Sequence, residues 1–116
     1  MNRQEMLIRP DYEEDEGKLE IENFEISNFR IIGINAKDAS SAPYTRCTGI
    51  ELRGLKIHTI GFAGMELQEV DNAIVENNVI HNITATSPNR NQYHGIYLSD
   101  NTNNIIVRNN IIYGVP

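Results

Sequence analysis

Two sets of side chains in this sequence have the chemistry to act on a substrate, and one of them recurs with a fixed spacing. His94 immediately precedes the tetrapeptide Gly95–Leu98 and Tyr97 is its third residue, with Arg90 a few residues before. An imidazole and a phenol are groups that accept and give protons, and a guanidinium is the side chain suited to pairing with an anion. Asp38, Glu69 and Asp100 are the second set, each shortly after a glycine-led tetrapeptide. Three carboxylates stacked at one spacing either share a hard cation such as Ca2+, which prefers several oxygen ligands, or splay outward and stay solvated. Asn35, Glu66 and Lys37 lie beside them and are the candidates for substrate contacts. His58 and His81 form a lesser pair; two imidazoles one repeat apart suit a metal, but stacked surface side chains are the weightier reading.

The elements that position these residues are visible as a repeat. GINA (33–36), GMEL (64–67) and GIYL (95–98) follow one another at intervals of 31 residues. Between them fall four ungapped eleven-residue segments: LEIENFEISNF (19–29), IELRGLKIHTI (50–60), AIVENNVIHNI (73–83) and IIVRNNIIYGV (105–115). Their third column (Ile21, Leu52, Val75, Val107) and eighth column (Ile26, Ile57, Ile80, Ile112) are apolar throughout, as inward positions of buried strands are. The fifth column is Asn23, Gly54, Asn77, Asn109, the residue types that tolerate positive φ, so a left-handed corner divides two strands in each segment. The fourth column alternates in sign, Glu22, Arg53, Glu76, Arg108, and predicts a ladder of ion pairs between stacked copies. The sixth turns from Phe24 and Leu55 to Asn78 and Asn110, which predicts an inward amide ladder. Within each tetrapeptide Ile34, Met65 and Ile96 point inward, and Asn35, Glu66 and Tyr97 outward. His58, His81 and Tyr113 share the outward ninth column.

The stretch GIYLSDNTNNIIVRNNIIYGV resembles the right-handed parallel β-helix repeat of pectate lyases, alginate lyases, mannuronan epimerases and tailspike proteins. The resemblance covers residues 19–116. It implies an all-β solenoid of three to four coils, with Met6–Arg9 supplying a strand of an irregular first coil and residues 1–18 forming an acidic N-terminal segment. It further implies a polysaccharide partner, a substrate groove over the tetrapeptide sheet, and an extracellular or cell-surface setting. The long stretches Asp38–Cys47 and Thr84–Tyr93 flank that sheet and would wall the groove. A uronate lyase must neutralise the substrate carboxylate, remove the C5 proton and protonate the leaving oxygen. Arg90 or a metal suits the first task, His94 the second and Tyr97 the third. The Asp-Pro-His-Glu signature of mannuronan epimerases is absent. A non-catalytic structural or carbohydrate-binding module is the competing reading.

Composition closes off other classes. The chain has 116 residues and a net charge of −6, with 17 Ile, 15 Asn, one Cys and no Trp. The acidity is concentrated in residues 1–22, which hold eight acids and three bases; the remainder holds eight and seven, with no basic stripe to grip nucleic acid. No apolar run is long enough to span a bilayer, and Cys47 alone forms no intrachain disulfide. Uncovered coil ends would present open strand edges, so a homo-oligomer or end-to-end assembly is also expected.

Overall fold

A computed structural model describes residues 5–8, 19–30, 32–37, 47–86 and 92–116. Among the described residues, twelve strands follow one another in three-strand coils: β1 (Glu5–Ile8), β2 (Leu19–Glu22) and β3 (Glu25–Ser27); β4 (Ile32–Lys37), β5 (Cys47–Arg53) and β6 (Lys56–Ile60); β7 (Ala63–Gln68), β8 (Val70–Glu76) and β9 (Val79–Ile83); β10 (His94–Ser99), β11 (Asn103–Arg108) and β12 (Ile111–Tyr113). Each strand pairs in parallel with its counterpart one coil away. This gives three four-stranded sheets, β1-β4-β7-β10, β2-β5-β8-β11 and β3-β6-β9-β12. The fold is the expected right-handed parallel β-helix, with four coils among the described residues. Met6 pairs with Ile34 across β1 and β4, so the first coil begins before residue 19.

The register reproduces the sequence columns. Ile26, Ile57, Ile80 and Ile112 pair in one file, and Ile57 and Ile80 are wholly buried. The core runs up the axis through Ile34, Leu52, Leu55, Met65, Leu67 and Val75. The glycines that lead the tetrapeptides belong to its packing. A Cβ on Gly64 would sit 2.5 Å from Ile80 Cγ2 and 2.8 Å from the Gly95 carbonyl oxygen, so the first sheet approaches the third only where side chains are missing. The outermost coil keeps the pattern but exposes its apolar side chains, among them Leu98, Val107 and Ile112.

Asparagine does two structural jobs. Asn23, Asn77 and Asn109 hold φ between 55° and 59°, and Gly54 in the same file holds 63°. A second left-handed file, Asn28, Thr59, Asn82 and Gly114, closes the third sheet, and a third, Gly49, Asn72 and Asn104, bends the second. The repeat columns had not exposed these two files, because Thr59 breaks the residue pattern of one and the other precedes the aligned segments. Inside the corner the amide ladder forms as expected. Asn78 Nδ2 donates to Asn110 Oδ1 (3.0 Å) and to the Leu52 carbonyl (3.1 Å), while Leu55 N–H donates to Asn78 Oδ1 (2.9 Å). Phe24, the same position in the first coil, is partly exposed.

The charge ladder forms over three of its four expected rungs, Arg53, Glu76 and Arg108. Glu76 accepts from Arg53 Nε and Arg108 Nε, both at 2.6 Å, and Arg53 also reaches Glu51 at 2.7 Å. Hydrogen bonds from the two guanidinium groups hold the Glu76 carboxyl below its ordinary range, and the Glu51 and Glu76 carboxylates push Arg53 up.

Candidate functional site

The outer face of the first sheet gathers most of the described candidate residues. Alternation along a strand turns Ile34 and Met65 into the core and leaves Asn35, Glu66 and Tyr97 on the opposite side. Parallel pairing sets these three side by side, one coil apart. Position on the outer face does not make them exposed: Asn35 retains 3% of its accessible surface and Glu66 5%. Gln68 Nε2 and Ser99 Oγ both donate to Glu66 Oε1, the latter at 3.4 Å. A carboxylate so buried keeps a fixed direction because its neighbours satisfy one oxygen.

Next to this carboxylate stands an aromatic group. Ile32, Phe62 and Ala63 form a small apolar cluster outside the main core, with Tyr93 and Tyr97 packed on it. The His94 N–H donates to the Phe62 carbonyl at 3.1 Å, which anchors the start of β10. The His94 ring lies parallel to Tyr97, with centroids 4.5 Å apart and planes 12° from parallel. Phe62 meets both rings edge-on, at 5.6 Å and 6.1 Å. His94 and Tyr97 are therefore brought together, half-buried, beside Glu66. Phe62, Gln68 and Ser99 were missed in the sequence; the one available signal was a large apolar residue two positions before Gly64. The arrangement offers an imidazole and a phenol for proton transfer, flat rings for an apolar ligand face, and a fixed carboxylate to accept hydrogen bonds.

The other candidates are placed less closely. Lys37 closes β4 in register with Gln68, and its side chain lies outside the described residues. Arg90 and Asp38, and most of the two flanking stretches expected to wall the groove, also lie outside them. Glu69 and Asp100 occupy the corner after the first sheet. Both are exposed and left-handed (φ 53° and 51°), and Glu69 N–H donates to the Asp100 carbonyl at 2.9 Å. Among the described residues no group of three or more metal-ligating side chains comes together.

On the third sheet His58, His81 and Tyr113 form a continuous ring stack, with centroid spacings of 4.9 Å at both steps. His58 Nε2 lies 3.5 Å from a Glu25 oxygen. This is the stacked surface file that outweighed a metal pair. On the second sheet, the bend at Gly49, Asn72 and Asn104 lines a shallow groove of about 380 Å³, with the buried Glu51 at its edge.

The family described as "Right handed beta helix region" matches residues 12–115. No curated protein and no solved structure matches the chain.

Proposed function

Since the chain belongs to the right-handed β-helix family, we propose that it is a polysaccharide-active unit that holds its glycan across the outer face of the first sheet and cleaves or epimerises uronate residues there. The observation that carries this reading is the parallel His94–Tyr97 pair, 4.5 Å apart, beside the buried Glu66 carboxylate. In the lyase reaction the His94 imidazole takes the C5 proton. The C5–H electrons form the C4=C5 double bond, the C4–O4 bond breaks, and the Tyr97 hydroxyl gives its proton to O4. An epimerase would remove the same proton and return one to the opposite face of C5. Arg90 would supply the positive charge that makes the C5 proton acidic; a Ca2+ ion, if one binds, would be held by Asp38, Glu69 and Asp100 and would supply the same charge.

Incubation with alginate and with pectate, with and without calcium, tests the reading. Absorbance of the unsaturated product marks elimination, and NMR of the recovered polymer marks inversion at C5. Either signal should vanish in His94→Ala; absence of both from the unaltered chain on these and on glycans that mix uronates with neutral sugars refutes the catalytic reading.

The aromatic cluster favours a second reading, a carbohydrate-binding module without turnover, because stacked rings and a fixed carboxylate suffice to hold a sugar. Glycan retention that survives replacement of Arg90, His94 and Tyr97 by Ala would select it.

A further inference from the structure

Glu66 has a feature that neither proton-transfer role uses. Its Oε1 is occupied by Gln68 and Ser99, whereas Oε2 accepts from no described residue, and the residue retains 5% of its accessible surface. The side chain is otherwise buried, on a face floored by Phe62, His94 and Tyr97. The described guanidinium groups that form ion pairs, Arg53 and Arg108, are committed to Glu51 and Glu76 on the second sheet. A carboxylate presented in this way asks for a hydrogen-bond donor and disfavours a second anion, since two unpaired carboxylates in a poorly solvated site repel each other.

We infer that the sugar ring seated over Glu66 is a neutral one: its hydroxyl groups donate to Oε2 and its apolar face rests on the Tyr97 ring. The inference rests on the proposed reading of this face as a glycan site. It narrows the substrate class to polysaccharides in which uncharged sugars adjoin the uronates, as opposed to an unbroken uronate chain. The His94 ring stacks on Tyr97 at 4.5 Å, so the reacting uronate is the residue joined directly to this neutral sugar.

Glu66→Gln tests this directly, because the amide keeps the shape and an acceptor oxygen for Gln68 and Ser99 but removes the charge. Binding of xylohexaose, as the neutral probe, and of hexagalacturonate is measured by calorimetry without calcium, with circular dichroism to show that the variant is folded. Xylohexaose should bind the unaltered chain more tightly than hexagalacturonate; Glu66→Gln should weaken xylohexaose about tenfold, as loss of a charge-assisted hydrogen bond does, and strengthen hexagalacturonate. In the unaltered chain, xylohexaose should also shift the backbone NMR signals of Glu66, Tyr97 and Ser99, a readout that needs no variant. Hexagalacturonate binding as tightly as xylohexaose, or a variant with unchanged preferences, overturns the inference and leaves the polysaccharide reading standing. Failure of both probes to bind overturns the two together.

Discussion

Replacing Asn78 by Ala probes the hydrogen-bonded interior on which the stacking of coils depends. Asn78 is 1% exposed, and its amide joins three coils through the Leu55 N–H, the Leu52 carbonyl and Asn110 Oδ1. Truncation leaves the Leu55 N–H without its acceptor in a dry interior, which costs about 1–3 kcal/mol, and removes two further bonds worth about 1 kcal/mol each. A loss near 4 kcal/mol is expected, a large share of the about 5–15 kcal/mol that a domain usually has. Urea unfolding followed by far-ultraviolet circular dichroism measures it. Exchange of the Leu55 amide proton should accelerate in step. Asn78→Asp should be no more stable than Asn78→Ala at neutral pH, because a buried carboxylate would face two acceptor oxygens. If Asn78→Ala costs less than about 1 kcal/mol and Leu55 exchange is unchanged, the amide ladder does not bind the coils and the argument fails.

Other outcomes follow from the same geometry. Gly64→Ala places a Cβ against Ile80 and the Gly95 carbonyl, so a loss of about 1–3 kcal/mol is expected in urea unfolding; an unchanged midpoint would contradict the close approach of the two sheets. The depressed Glu76 carboxyl contributes stability that is fully present above the ordinary glutamate range and disappears as pH falls below it, through the lowered value. Thermal midpoints across the acid range should therefore fall for the unaltered chain and flatten in Glu76→Gln; identical slopes would refute the ion ladder. His94→Ala should cut turnover of a uronate glycan by about a hundredfold or more with little change in melting temperature, and Tyr97→Phe should act similarly.

The fold was readable because stacking imposes one residue type on each file. Apolar columns and the Asn/Gly corner repeat with the coil, and a period cannot be imitated by local propensity. The Asn28–Thr59–Asn82–Gly114 file escaped because Thr59 takes a left-handed backbone that its side chain disfavours. The tetrapeptide glycines were legible as markers, but their cause, the crowding by Ile57, Ile80 and Ile112, needed the distance between sheets. At the candidate site, alternation identified the face of Asn35, Glu66 and Tyr97 correctly. It gave no sign that Glu66 would be buried, since burial there depends on Gln68 and Ser99 from adjacent positions and not on the strand's own pattern. Phe62 was missed for a related reason: it lies between repeat units, where no column constrains it.

A crystal of the chain soaked with an oligosaccharide that mixes neutral and uronate residues tests the functional account most directly. The account predicts a glycan lying along the first sheet, with one ring against Tyr97, a hydroxyl within hydrogen-bond distance of Glu66 Oε2, and a uronate C5 facing His94. A ligand seated instead in the groove at Gly49, Asn72 and Asn104, with the first sheet bare, would contradict it.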